Sequence, residues 1–397
     1  MTSTKAIFVT VFTIFGPLIQ NDTIADQHNS LEPVVPNFQP GPEYSDRTRA
    51  FQGIPGLERA KNGRLWATWY AGGPNEPGEG AGNYVVLVTS ADEGRTWSEP
   101  KMVIDPPGDV RAYDPTIWHD PQGRLWLFWA QSSHWWDGRS GVWCIVTENS
   151  GEASPKWSKP RRLCDGIMMN KPTVTRSGDW LLPVSIWAQK ADSRTRPEHR
   201  MDLSTEVGAR VMLSRDQGQN FEFAGKTQAP ESIFDEHMIV ERRDGSLWML
   251  MRTRFGMAES FSNDGAKSWT PGQRSTIKHV NSRFFIRRLK SGSLLLVRHH
   301  PPDGKTRSHL SAWISNDDGQ SWKGGLLIDP RPGVSYPDGV EDDQGRIRII
   351  YDYQRTRDRQ ILMAVFSESE VLKSNPSDLL PDSQKFVVNQ AGIQKGK

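Results

Sequence analysis

An all-β fold, a six-bladed antiparallel β-propeller, is the architecture this 397-residue sequence predicts, and two independent repeats predict it. The first repeat is a turn motif. It reads Ser90-Ala-Asp92-Glu-Gly94-Arg-Thr96-Trp97, a degenerate Thr147 to Trp157, Ser214-Arg-Asp216-Gln-Gly218-Gln-Asn-Phe221, Ser262-Asn-Asp264-Gly-Ala-Lys-Ser-Trp269 and Ser315-Asn-Asp317-Asp-Gly319-Gln-Ser-Trp322. Asp accepts backbone N–H groups in a tight turn, Gly supplies the positive φ, and Ser or Thr adds a second bond. The closing aromatic buries a large apolar area where hairpins meet. The second repeat is a turn glycine ahead of an aromatic or aliphatic strand, at Gly63, Gly123, Gly178, Gly245, Gly292 and Gly345, as in Gly63-Arg-Leu-Trp-Ala-Thr-Trp69. Spacings of 60, 55, 67, 47 and 53 residues fit one four-stranded blade each. Ile347, Ile349 and Tyr351 alternate with Arg346, Arg348 and Ile350, the period of a strand rather than a helix.

From the N-terminus, Lys5 precedes an apolar stretch from Ala6 to Gly16, and Thr23-Ile-Ala25 approximates a small-x-small cleavage pattern. Residues 1–25 therefore read as a signal peptide, too short to span a bilayer, and predict a secreted or periplasmic protein. Residues 26–45 form a polar, Pro-rich segment, residues 46–375 the six-bladed propeller, and residues 376–397 a C-terminal tail. No linker divides the chain, so one domain is expected; closed all-β folds routinely exceed the usual domain size. A net charge of +2, with basic residues spread along the chain, gives no nucleic-acid stripe and no polyacidic partner. Cys144 and Cys164 lie at near-equal distances either side of the second turn, compatible with a disulfide or with two buried thiols. No motif implies a cofactor, and no metal-ligand spacing is present: His299 and His300 are adjacent, so they point to opposite faces of a strand.

The start of each inner strand opens into the axial cleft of a propeller. Counting back seven to eleven residues from each repeat glycine gives a polar set in every blade. Blade one offers Gln52; blade two, Arg111 and Asp114; blade three, Asn170 and Lys171. Blade four offers Asp235, Glu236 and His237; blade five, Asn281 and Arg283; blade six, Tyr336 and Asp338. Singly, such residues are commonly turn chemistry. Together they supply what acid/base or nucleophilic chemistry on a polar substrate requires. The ends of the second strands add Arg252, Arg254, Arg298, His299, Asp352 and Arg355. So many guanidiniums around one mouth point to a carboxylate, sulfate or phosphate on the ligand.

The turn motifs resemble the Asp-boxes of sialidases (neuraminidases) and their bacterial-neuraminidase-repeat relatives, over roughly residues 45 to 373. Phe51-Gln-Gly-Ile-Pro55 resembles the sialidase opening segment, with Gly53 where that family has the first arginine of its carboxylate-binding triad. Glu236 to Gly245, followed by Arg252, resembles the stretch with the glutamate partner of the nucleophile and the second arginine. Tyr336 matches the catalytic tyrosine. The family's acid/base aspartate falls in the loop Ala71 to Asn83, where this chain has Glu76 and Glu79, and Asp114 is the other candidate. The resemblance implies a sialidase-like exo-glycosidase acting on an acidic or sulfated sugar of a glycan. Tyr336 would attack with Glu236 taking its proton, and Glu79 or Asp114 would serve as acid/base. Arg252, Arg254, Arg283 and Arg298 would hold the anion, and Lys171, His237, Asn170, Gln52 and Asp338 would line the substrate site. A polysaccharide lyase using Tyr336 or His237 as base fits the same residues, as does a non-catalytic carbohydrate-binding propeller.

Overall fold

The computed structural model describes Met1 and residues 29–392; the leader expected over residues 1–25 lies, apart from Met1, outside the described residues. Six four-stranded antiparallel sheets stand around an axis, each built from four consecutive strands. Their inner strands are Phe51–Arg59, Val110–His119, Thr173–Val174, Asp235–Glu241, Phe285–Arg288 and Val334–Glu341. The six-bladed propeller read from the repeats is the observed architecture. Among the described residues, no helix is long and apolar enough to cross a membrane.

Both repeats act at the blade interfaces. In the turn of blade five, Asp317 Oδ1 accepts the Ser321 N–H at 2.9 Å, and Ser315 Oγ accepts the Gly319 N–H at 2.8 Å. Closing aromatics such as Trp322 are only partly buried there. In blades one, two and four the deeper plug is the tryptophan three residues after the repeat glycine, Trp66, Trp126 or Trp248, which seats beneath the turn of the next blade. Trp66 Nε1 donates to Ser150 O at 2.7 Å, a Cβ on Gly218 would meet the Trp126 ring, and one on Gly319 the Trp248 ring. At these three interfaces the two repeats are thus the two halves of one contact.

Two boundaries differ from expectation. Residues 376–392 are not a tail: Lys385–Gln390 pairs with Gln360–Ser367 as the fourth strand of blade six, covering an edge that would otherwise present unpaired backbone groups. A short helix, Glu368–Lys373, capped by Ser367 and Glu370, carries the chain there, and no turn motif announces that strand in the sequence. From residue 29 on, the polar segment lies on the propeller: Asn37 bridges Val103 at the outer edge of blade one, and Ser30 Oγ donates to Asp137 Oδ2 at 2.7 Å. Cys144 and Cys164 are free, facing Arg161 and Val142 in the register of blade two.

Gly319 has φ +87° and its missing Cβ lies against Trp248. Gly319→Ala is expected to destabilise the protein by about 1–3 kcal/mol, from left-handed backbone strain plus overpacking. Thermal melts check this; an unchanged Tm would mean that the turn does not bear on its neighbour.

Candidate active site

Four inner strands carry a β-bulge at the same level, with register shifts between Gly53 and Gly56, Tyr113 and Thr116, Asp235 and Met238, and Ser335 and Asp338. The second bulge position of each, Ile54, Asp114, Glu236 and Tyr336, has a left-handed backbone, with φ of 59°, 46°, 43° and 54°. A bulge turns a side chain out of the alternating pattern, and residues held in this region without being glycine cluster at functional sites. Three of the four are followed by proline. Here the strain aims one carboxyl, one carboxylate and one phenol from three blades into one cleft.

Tyr336 and Glu236 meet. The Tyr336 hydroxyl donates to Glu236 Oε1 at 3.0 Å, and Arg252 Nη1 lies 2.5 Å from that oxygen and 3.0 Å from the hydroxyl. The second oxygen, Glu236 Oε2, is buried without a partner. Arg252 is braced by Asn281, whose Oδ1 accepts Nε at 2.7 Å, and its guanidinium lies over the Phe234 ring. Burial and the neighbouring Glu236 raise the Tyr336 pKa, against the pull of Arg252, Arg307 and Arg355. The phenol therefore stays neutral at rest, with a carboxylate placed to receive its proton.

The two acid candidates differ in environment. Burial, then the charge of Glu79, push Asp114 up to about 8, Glu236 adding to the rise while Arg111 and Arg283 oppose it. Burial acts on Glu79 in the same direction, but Arg355, Arg111 and Tyr70 outweigh it and hold that carboxyl below its usual range. Glu79 accepts from Arg355 Nη1 at 3.1 Å, with about a third of its side chain exposed. The pair is thus split into a protonated Asp114 and an ionised Glu79 at neutral pH, the separation that acid and base roles require.

Several expected substrate residues are occupied elsewhere. Lys171 is buried below the cleft, 2.7 Å from Glu58 and 3.3 Å from Asp338, and donates to Gly339 O. Asp338 Oδ2 accepts the Leu57 N–H at 2.9 Å, and Arg283, fully buried, donates through Nε to Asn170 Oδ1 at 2.6 Å. Asn170 in turn donates to the carbonyls of Glu236 and His237, both at 2.9 Å. These four residues form a hub that ties blades together and fixes the Glu236 backbone. Gln52 is buried at the seam, bonded to Arg49, Arg359 O and Asn389. His237 turns away to Arg210 O at 2.8 Å, and burial drops its pKa to about 4. Arg298 points outward, to Lys278 O and the Trp313 ring, because its neighbour His299 takes the inward position against Val334 O. Arg254 lies on the exposed hairpin beyond Arg252, at the rim of the same recess.

Sequence reasoning missed Arg307, which lies in the irregular loop after His300-Pro-Pro, where no repeat marks it. Its guanidinium lies 5.7 Å from the Tyr336 ring centroid, and it donates to Asn281 O. Arg355, noted only as a strand exit, lies 5.0 Å from the same ring. Three guanidiniums, from blades four, five and six, thus surround the phenol. Beside them Trp135, Trp187 and Phe234 form an aromatic wall, with Trp187 5.0 Å from Phe234 and 5.5 Å from Trp135.

The family model described as BNR repeat-like domain matches residues 50–349. No curated protein matches the chain. Among solved structures, a Hadza microbial sialidase is 18% identical with a TM-score of 0.64, the match covering 83% of this chain and 69% of that one. The intramolecular trans-sialidase of Ruminococcus gnavus, solved in complex with oseltamivir carboxylate, is 14% identical with a TM-score of 0.61, over 83% and 97% of the two chains. A protein of unknown function from Dyadobacter fermentans is 16% identical with a TM-score of 0.59, over 82% and 95%. At these identities the likeness is one of fold.

Asp114 holds its proton to about pH 8 in the folded protein, whereas an unfolded Asp releases it near 4. Between those values the unfolded chain binds fewer protons than the native one, so this carboxyl makes stability fall as pH rises, on the order of 1 kcal/mol per pH unit at most. Asp114→Asn is therefore expected to flatten the decline of Tm between pH 5 and pH 8. Parallel curves for the two proteins would contradict the assignment; Asp235, raised to about 7 chiefly by burial, contributes equally to both.

Proposed function

The chain belongs to the BNR repeat-like domain family, the Asp-box propellers of the sialidase superfamily, and on that premise we propose that it is an exo-glycosidase releasing a terminal acidic sugar from a glycan with retention of configuration. The contact of the Tyr336 hydroxyl with Glu236 and Arg252 carries the reading. As the phenol oxygen attacks the anomeric carbon and the bond to the leaving oxygen breaks, the phenol proton passes to Glu236, which becomes neutral, and Arg252, in reach of both oxygens, stabilises the negative charge that develops on the phenol oxygen during the transfer. A neutral nucleophile suits a substrate that brings its own negative charge. Asp114 protonates the leaving oxygen, and its conjugate base then activates the water that releases the sugar. Glu79, held ionised by Arg355, is the less suitable donor.

The position of the arginines bears on the substrate. Arg252, Arg307 and Arg355 crowd the phenol itself, so the anion they accept sits beside the carbon under attack. That favours a 2-ulosonic acid, whose carboxylate is carried on the anomeric carbon, over a uronic or sulfated sugar whose charge lies across the ring. The aromatic wall of Trp135, Trp187 and Phe234 supplies apolar surface for the rest of the sugar or its leaving group. Export by the leader over residues 1–25 belongs to the same proposal.

The test is a panel of aryl glycosides of sialic acids, other ulosonic acids, and uronic acids with and without sulfate, the product anomer being followed by NMR. Retained configuration on a ulosonic substrate is expected. An unsaturated, ultraviolet-absorbing product would indicate a lyase, and sugar binding without turnover a binding propeller. Tyr336→Phe should abolish turnover while leaving sugar binding largely intact, and Glu236→Gln should lower kcat about 10²–10⁴-fold; full activity in Tyr336→Phe would overturn the mechanism.

A further inference from the structure

Gly53 poses a question that backbone geometry leaves unanswered. It is not among the glycines with positive φ, and it pairs in regular register with Tyr70 in the innermost strand of blade one. A side chain is compatible with its backbone, so glycine is not needed there for conformational freedom. Space is the reason. A Cβ built on Gly53 would lie 2.6 Å from Arg355 Cγ, closer still to Arg355 Cδ, and 3.0 Å from Asp352 Oδ2.

The two segments are locked at this level. Asp352 Oδ2 accepts the Ile54 N–H at 2.8 Å, Asp352 Oδ1 accepts from Ser335 Oγ at 2.6 Å, and the Gln52 N–H donates to Arg355 O at 3.2 Å. Arg355 is thereby laid across position 53 with its guanidinium beside Tyr336. Its hydrogen-bonded partner in the cleft, Glu79, is partly exposed on a loop containing Gly73, Gly78, Gly80 and Gly82, so an incoming carboxylate can take the place of Glu79.

We propose that Arg355, reaching from blade six, is the arginine that holds the substrate carboxylate from the blade-one side of the cleft, and that residue 53 is glycine because this side chain fills its room. The carboxylate role rests on the ulosonic-acid reading above; the steric role does not. The charged group that a side chain at position 53 would bring to the cleft is instead delivered across the seam between the first and last blades. Position 53 and position 355 then form one functional unit, in which either residue, but not both, can carry the guanidinium.

The test is a set of variants of the full chain: Gly53→Ala, Arg355→Ala, Gly53→Ala with Arg355→Ala, and Gly53→Arg with Arg355→Ala. In melting curves, Gly53→Ala should lower Tm by several degrees in the wild-type background and by much less once Arg355 is truncated. An equal loss in both backgrounds overturns the steric half. Calorimetric binding of N-acetylneuraminic acid and 3-deoxy-D-manno-octulosonic acid reads the other half. Arg355→Ala should weaken binding at least tenfold, and Gly53→Arg added to it should recover much of that loss. Binding by Arg355→Ala equal to wild type, or a folded double variant that binds no better than Arg355→Ala, overturns the carboxylate role. A wild-type protein that binds neither acid overturns the ulosonic reading and the carboxylate role with it, while the melting comparison still decides the packing.

Discussion

The buried charges at the hub are the constraint on which the rest of the molecule depends. Lys171 joins Glu58 and Asp338, Arg283 approaches Asp338 and binds Asn170, and Asn170 holds the backbone of Glu236. Charges removed from water must be matched, and losing one partner of such a set costs far more than the set contributes by being present. The hub therefore dictates where five blades, one and three to six, sit relative to one another. Burial alone would raise Glu58, yet Lys171 and His119 bring it down to about 2, which shows how fully its charge is matched. Arg283 Nη1 and Nη2 and Asp338 Oδ1 are buried and make no hydrogen bond, Nη2 and Oδ1 facing each other at 3.8 Å, so the hub is polar enough to hold water.

Above the hub, geometry is acquired through strain. A β-branched residue such as Ile54 at positive φ is disfavoured, and four such residues at one level cost on the order of 1–3 kcal/mol each. They persist because their surroundings over-determine them: Asp352 grips the Ile54 N–H, Asn170 grips the carbonyl of Glu236, and Asp338, two residues beyond Tyr336, is fixed by Leu57. The hub and the bulges are one device, the lower part rigid so that the upper part can hold an unfavourable backbone. Because the bulges stand at the same height, side chains from three blades converge rather than pointing each into its own interface.

How much of this could be read from the sequence follows from what a repeat encodes. The turn glycines and Asp-box residues recur at fixed offsets because every blade interface needs the same contact, so blade number and inner-strand position were legible. The offsets also located Tyr336, Glu236 and Asp114. They could not tell depth along the axis: Asn170, Lys171, Arg283 and Asp338 face inward as expected, but into the hub. Strand parity decided Arg298 against His299, a one-residue distinction that the apolar pattern did not register. Arg307 sits on a loop with no period at all. Arg355 became interpretable only once the ring was closed, since it is 302 residues from the glycine it fills. The last strand of blade six was hidden for the opposite reason, having neither a turn motif nor a repeat glycine ahead of it.

Among the described residues each blade is a contiguous stretch of chain, and no strand is exchanged between the first and the last. Blades one and six are stitched by side chains instead: Arg49 to Asn389, Gln52 to Arg359 O, Asp352 to Ile54, and Arg348 to Glu93. This join runs beside Gly53 and Arg355, so the cleft and the seam that closes the ring coincide. The topology makes the site the last thing to exist during synthesis, since five finished blades still lack Tyr336 and Arg355. It also gives an anionic ligand a mechanical part: drawing together Arg252, Arg307 and Arg355 of blades four, five and six, it acts as a tie between consecutive blades whose binding energy opposes their spreading.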